Sequence, residues 1–354
     1  MIDRNKVILT LNVGSSSLKW AAFNLETGQE AIKKDKIELS PFLSKKEGMK
    51  TAIRGIVKTL NHGNLEIEAA GHRVVHGGDY QWPVYINEHV LKNLYALSDL
   101  APLHEPFNIA GVTILKKELP DIPHIACFDT AFHRGHDPLV DHFALPKDYY
   151  SQGIKRYGFH GLSYEFISTA IQQSYPQLFH RKIVVAHLGN GSSLCAMKNG
   201  KSVDSTMGFS ALDGLPMGTR CGSLDPGVIL HMMRTMGYGI EKIEDILYRQ
   251  SGLKGLSGRT HDVRKLLESD DPDSKLAIEY FCWRVAQGIV SMGVTMRGID
   301  GLVFTGGIGE NSEEIRQKVL HSIKWLNSDF DTHVIATNEE LMIAHHTRAI
   351  IKTV

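Results

Sequence analysis

Cysteine is scarce in this sequence. Four occur in 354 residues, at Cys127, Cys195, Cys221 and Cys282, and none belongs to a CxxC pair. That spacing argues against a disulfide framework and a thiolate zinc site, and it fits a reducing compartment. An excess of one charge is also missing: Lys+Arg and Asp+Glu both number 39, so the basic footprint of a nucleic-acid binder is absent. No run approaches the ~20 apolar residues of a membrane helix. The opening MIDRNKVILTLNV carries an acid and enters an alternating pattern, unlike the apolar stretch of a secretory signal. A soluble, cytoplasmic protein is expected. The Walker spelling GxxxxGK[ST] does not occur, and no GxGxxG is followed by a ribose-binding acid, which excludes the two commonest phosphate-binding loops.

What is present is ordinary globular material, 42% hydrophobic and 22% charged, long enough for two domains with sizeable cores. Lys6 to Val13 and Lys19 to Leu25 read as strands around a Gly-Ser-Ser-Ser turn. IPHIACFDT reads as a buried strand entering a loop, and Ile183 to Leu188 as another, followed by Gly-Asn-Gly-Ser-Ser. LCAMKNGKSV predicts a hairpin turned by Asn199-Gly200. Helical spacing appears at Val90, Leu91, Leu94 and Leu97, at Ile109, Val112 and Leu115, and over Ile278, Phe281, Val285, Ile289 and Met292. GLVFTGGIGENS reads as strand, glycine turn and a helix beginning near Ser312. The chain ends with a strand at HVIAT and a helix at NEELMIAHHTRAII. Strands and helices mix throughout, giving an α/β or α+β class.

LNVGSSSLKW and HLGNGSSLCAM share a plan half a chain apart: apolar strand, Asn and Gly, Gly-Ser-Ser or its like, Leu, apolar strand. An echo at that distance suggests a duplicated domain rather than a solenoid. Both turns, and a third at Gly306 to Asn311, follow apolar strands. Each alone is an ordinary tight turn. Three together suit phosphate, because glycine lets backbone N–H groups approach an anion and a helix N-terminus favours negative charge.

Charged residues stand beside these turns. HRVVHGG holds Arg73, LAPLHEP holds His104, FDTAFH holds Asp129, RYGFHG holds His160 and MGTRCGSLDP holds Arg220. A lone loop arginine or histidine is usually solvated or structural. These lie in glycine- or proline-bounded loops after apolar segments, where binding residues concentrate. His133/His136 and His345/His346 make poor metal candidates.

Taken in order, NVGSSSLK, HRVVHGG, LAPLHEP, FDTAFH, RYGFHG, HLGNGSS, MGTRCGSLDP, FTGGIGENS and TNEELMIA resemble the acetate kinase (acetokinase) family, which includes propionate kinases. The resemblance spans nearly the whole chain. It implies a duplicated actin-like (ribonuclease H-like) ATPase fold around a nucleotide cleft. Residues 1–150, completed by a helix at about 338–354, would form one domain, and 151–337 a second with most of the ATP site. It implies ATP + acetate = ADP + acetyl phosphate with Mg2+, for which Mn2+ substitutes, usually in a homodimer. Asn12 and Glu339 match metal positions. Lys19, Ser15 and Ser17 match the ATP-side hairpin. His187, Leu188, Gly189, Asn190 and Gly191, then Asp262, Val263 and Arg264, then Gly307, Ile308, Gly309, Glu310 and Asn311 match ATP-binding segments. Arg73 and His104 match substrate-side positions, with Val75, Leu103 and Phe159 in the acyl pocket. Asp129, His160 and Arg220 match catalytic positions.

The residue types suit the chemistry. Phosphoryl transfer needs alignment and charge stabilisation more than covalent help, and a guanidinium fits both carboxylate and phosphoryl oxygens. Acetate is already ionised at neutral pH and needs no general base. Asp129 is therefore read as orienting an arginine or a metal-bound water, with in-line transfer and no phosphoenzyme. The chain departs from the family pattern at Leu162, Tyr164, Ser223 and Ala211. At Ala211 the pattern has proline, and the smaller side chain makes room for propionate. A propionate kinase, a sugar or polyol kinase and a chaperone-type ATPase of the same superfamily are the alternative readings. The paired arginines favour an anionic acceptor over a neutral hydroxyl.

Overall fold

The computed structural model describes residues 5–14, 17–39, 44–102, 104–326 and 331–353. Its contacts divide into two units. The first comprises Met1–Arg134, His160–Phe166 and Asn338–Val354; the second comprises Gly135–Phe159 and Ile167–Thr337.

The first unit holds β1 (Asn5–Val13), β2 (Ser17–Asn24), β3 (Ala31–Glu38), β4 (Leu65–Val74), β5 (Val84–Tyr85) and β6 (His124–Phe128), in the sheet order β3-β2-β1-β4-β6-β5. β1 and β2 are antiparallel, with Asn12 opposite Lys19. β4 joins the other side of β1 in parallel, and β6 joins β4 in parallel. The parallel steps need crossovers, supplied by the helices Lys45–His62 and Glu105–Glu118. The burial patterns follow strand position. β6, between two neighbours, is buried at every residue, whereas β3, at the edge, carries Lys33, Lys34, Asp35 and Lys36 into solvent.

The second unit holds β7 (Lys182–Leu188), β8 (Ser192–Lys198), β9 (Lys201–Ser205), β10 (Gly301–Thr305) and β11 (Asp331–Val334), ordered β11-β10-β7-β8-β9. β7 pairs antiparallel with β8 and parallel with β10; β8 pairs antiparallel with β9, and β10 parallel with β11. The path β1, β2, β3, β4, β6 is thus repeated by β7, β8, β9, β10, β11. The two similar sequence stretches occupy the same place in both units, the turn between the first and second strands.

Local chemistry explains the elements. Asn199 (φ 53°) and Gly200 (φ 68°) turn the β8–β9 hairpin with the positive dihedrals that pair favours. The helix Pro272–Met296 opens on an Asp271 cap that accepts from Ser274 N, with Pro272 in its first turn, and ends at Arg297 in the left-handed region. It buries Ile278, Phe281, Val285, Ile289, Met292 and Met296 against Val184, Leu194, Leu302 and Phe304 of the sheet. Each such side chain contributes roughly 1.5–3 kcal/mol by leaving water.

Two segments differ from their sequence patterns. Gly306–Asn311 is a short helix, not an open turn: Gly306 takes φ 76° and Glu310 Oε1 accepts from Gly306 N at 2.9 Å, closing it. The next helix then starts at Glu313, with Ser312 as its cap. The last strand covers Asp331–Val334, so Ile335 to Thr337 of the expected HVIAT strand lie beyond it. Among the described residues no helix is long and apolar enough to cross a membrane.

Candidate active site

In the first unit β4 delivers Arg73 beside the residue that follows β6, Asp129. Arg73 Nη2 donates to Asp129 Oδ2 at 2.6 Å and Nε to Oδ1 at 3.0 Å, while Nη1 lies 3.1 Å from Glu339 Oε2 at the start of the last helix. Asp129 is buried, and burial pushes its carboxyl above the ordinary value; the Arg73 charge and hydrogen bonds oppose this, and the Glu339 charge adds to it. Burial alone would lower Arg73, but the charges of Asp129 and Glu339 outweigh it and raise the guanidinium further above neutrality.

His160 is brought to the same neighbourhood. The helix Gly161–Ser174 begins on Gly161 N donating to Asp129 O at 2.8 Å, and a Cβ at Gly161 would collide with that carbonyl. His160 precedes this contact in the left-handed region, φ 57°, a conformation that costs a non-glycine residue of order 1–3 kcal/mol. Its carbonyl accepts from Tyr164 N at 3.0 Å. The departures at Leu162 and Tyr164 are packing residues: both are fully buried, Leu162 against Ile125, Cys127 and Ile343, and Tyr164 edge-on to His133 at 5.7 Å. His104 precedes the Glu105–Glu118 helix as its cap residue. Val75 is buried directly after β4, and Asn12 and Lys19 face each other across the β1–β2 ladder, with Ser17 opening β2. Ser15 and Leu103 lie outside the described residues.

In the second unit a cavity of about 670 Å3 gathers Asn190, Asp262, Val263, Arg264, Gly307, Ile308 and Asn311. Three segments far apart in sequence, each expected to bind ATP, therefore share one wall. Asp262 caps the short Val263–Leu267 helix by accepting from Arg264 N and pairs with the Arg264 side chain at 2.9 Å. That hydrogen bond holds the half-buried Asp262 carboxyl below its ordinary value. His187 and Leu188 end β7, and Gly189 follows them. Gly309 is buried in its short helix. The Glu310 carboxylate is occupied by the loop, accepting from Gly306 N and from Thr337 N at 3.2 Å. His261, Glu268 and Ser312 also line the cavity. No motif in the sequence marks them as binding residues, although each adjoins or lies near a segment expected to bind ATP.

Arg220 sits in a loop braced on both sides. Thr219 Oγ1 donates to Tyr248 O at 2.8 Å, and Cys221 N to Leu247 O at 3.0 Å. Its own Nη1 donates to Ala211 O at 3.0 Å. Ser223 does not hold Arg220; its hydroxyl donates to Asp213 Oδ1 at 2.8 Å and accepts from Gly214 N. Phe159 and Ala211 are buried. Among the described residues no group of three or more His, Cys, Asp or Glu could hold a metal by itself.

Comparison with known proteins agrees with these features. Residues 30–352 match the model of the acetokinase family. An acetate kinase from Methylocella silvestris is 43% identical, with 98% of each chain covered. The solved propionate kinase of Francisella tularensis is 35% identical over 97% of this chain and 99% of its own, at a TM-score of 0.88. A ROK hexokinase from Thermus thermophilus, 12% identical over 98% of this chain and all of its own, at a TM-score of 0.51, shares the fold alone. The repeated sheet is the duplicated actin-like ATPase fold. The chain belongs to the acetokinase family, enzymes that transfer a phosphoryl group to a carboxyl group.

Proposed function

We propose that the protein catalyses ATP + acetate = ADP + acetyl phosphate by direct in-line transfer, accepts propionate as well, and works with Mg2+ in the cytoplasm as a homodimer. The observation that carries the acceptor assignment is the geometry of Arg73. A guanidinium has five N–H donors; Asp129 and Glu339 engage Nε, Nη2 and Nη1 once each, so two donors remain for an anionic substrate on a group already locked in orientation. A neutral polyol would gain less from such a group than an anion does. Val75, Leu103, Phe159 and Ala211 supply the apolar side of the acceptor, and His104 a polar contact.

The residues at this site fit a divalent cation. Asp129 and Glu339 outnumber Arg73 in charge, an arrangement that would repel ATP without a counter-ion. Asn12 and Glu339 offer hard oxygen donors, and one carboxylate with substrate oxygens and water is the usual magnesium arrangement. Bound there, the ion neutralises charge on the phosphates. Everything else falls to the side chains. Lys19, with Ser15 and Ser17, holds the phosphate end. Asn190, Asp262 to Arg264 and Gly307 to Asn311 hold the nucleotide, with His187 to Gly189 and Gly191 beside them. Asp129 fixes Arg73. His160 and Arg220 donate to the equatorial oxygens as charge develops during transfer.

The homodimer is supported by the helix Pro226–Arg234, which buries none of its residues. It exposes Leu230 and Met233, with Met236 and Ile240 beyond it, an apolar surface suited to a second copy. Phosphorus NMR of ATP, acetate, Mg2+ and the protein tests the reaction: an acetyl phosphate resonance growing with ADP supports it, and ADP with inorganic phosphate alone contradicts it.

A further inference from the structure

The turn after β4 presents four backbone N–H groups in succession, and a side chain accepts from each. Val75 N donates to Asn108 Oδ1, His76 N to Glu105 Oε2, Gly77 N to Thr130 Oγ1 and Gly78 N to His76 Nδ1, all at 3.0 Å. Two of the acceptors come from the first turn of the Glu105–Glu118 helix. Asn108 also donates to Val13 O at 2.7 Å, tying the end of β1 to the same turn. The turn begins two residues after Arg73, and Asp129 N donates to Val74 O at 3.2 Å. The backbone that carries Arg73 and Val75 is thus set by Glu105 and Asn108.

Glu105 is the unusual member. It is fully buried, and its Oε1 has no hydrogen-bond partner among the described residues. An ionised carboxylate would hold charge on that oxygen in a dry site, whereas the neutral acid incurs a far smaller penalty. Burial pushes Glu105 up to about 8; the His76 amide opposes this, and the Asp129 charge adds to it. The charged and titratable groups around it are Asp129 after β6 with its partner Arg73, His104 next in sequence, and His76 in the turn. Burial lowers His76 to about 3, with Arg134 acting the same way and Asp79 against, so His76 is neutral.

We propose that Glu105, as a neutral carboxylic acid, is a positioning residue that sets the Val75–Gly78 turn for carboxylate binding at Arg73, and that its ionisation loosens that turn. This rests on the carboxylate kinase reading above. The test measures kcat and the KM for acetate between pH 6.5 and 9.5 in the wild type, Glu105→Gln and Glu105→Ala. The wild-type KM should rise about tenfold from pH 7 to 9, with kcat changing less than about twofold. Glu105→Gln keeps an acceptor for His76 N without a charge, so its KM should match the wild type near pH 7 and stay flat. Glu105→Ala should show a raised KM at every pH.

Thermal unfolding gives a readout independent of turnover. Between about 4.5 and about 8 the folded protein keeps a proton that the unfolded chain has released, so wild-type stability falls as pH rises through that window. Glu105→Gln lacks this slope, and its Tm relative to wild type should climb up to about pH 8 and then level. Parallel KM and Tm profiles for the two proteins would overturn the proposal. If no protein forms acyl phosphate at any pH, the kinase reading fails and the positioning role with it; a parallel Tm profile in active proteins removes the neutral acid alone.

Discussion

Asp129 offers both carboxylate oxygens to one edge of Arg73, at 2.6 Å to Nη2 and 3.0 Å to Nε, and is itself buried. A carboxylate committed in this way is a holder of the arginine rather than a base, and acetate gives a base nothing to remove. Breaking a buried pair from one side typically costs about 3–5 kcal/mol, because the other charge is left unpaired. Arg73→Ala strands Asp129 and Glu339 and should lose stability of that order in urea titrations. Asp129→Asn keeps an acceptor, should lose distinctly less, and should reduce kcat. Equal losses for the two variants would contradict the assignment.

Arg220 Nη1 donates to Ala211 O, and Arg220 is not among the residues that line the cavity of Asn190, Asp262 and Gly307. Arg220→Ala should therefore lower kcat by about 10³ or more while calorimetry finds ATP affinity within about twofold of the wild type. Near-full turnover would remove Arg220 from transition-state stabilisation.

Ala211 is buried, and its carbonyl accepts from Arg220. Refilling the position with a ring should crowd the longer acyl chain. Ala211→Pro should lower kcat/KM for propionate relative to acetate by about tenfold, the scale of one methylene in a pocket. An unchanged ratio would show that this position does not set acyl preference.

His346 Nε2 meets Glu165 Oε1 at 2.9 Å within the first unit. Burial alone would lower this histidine, but hydrogen bonds to Cys127 and Glu165 reverse it and raise it to about 10. A raised folded value means the stabilisation is complete below about 6.5 and is lost as pH rises through about 10. The Tm gap between the wild type and Glu165→Gln should be widest near pH 6 and close by pH 10. A gap that widens with pH would contradict the ion pair.

Much of this was legible in the sequence because it rests on local rules. The Asn199-Gly200 hairpin, the buried β6, the long Pro272–Met296 helix and the repeated strand–turn–strand follow from periodicity and turn chemistry. The Gly306–Asn311 helix was not, because glycine favours turns and only Glu310, folding back onto Gly306 N, closes it. Ser223, one of the departures from the family pattern, pairs with Asp213, a tertiary contact no local pattern announces. Glu105 carries no sequence signal, because an acid at the start of a helix reads as an ordinary first-turn residue, and only the fold reveals its burial.

The proposed reaction depends above all on the acceptor being a carboxylate. Trapping acyl phosphate with hydroxylamine, in parallel reactions containing acetate, propionate, butyrate and glycerol with ATP and Mg2+, tests this directly. Hydroxamate should form with acetate and propionate, weakly with butyrate and not with glycerol. ADP release driven by glycerol, with no hydroxamate from any acid, would contradict it.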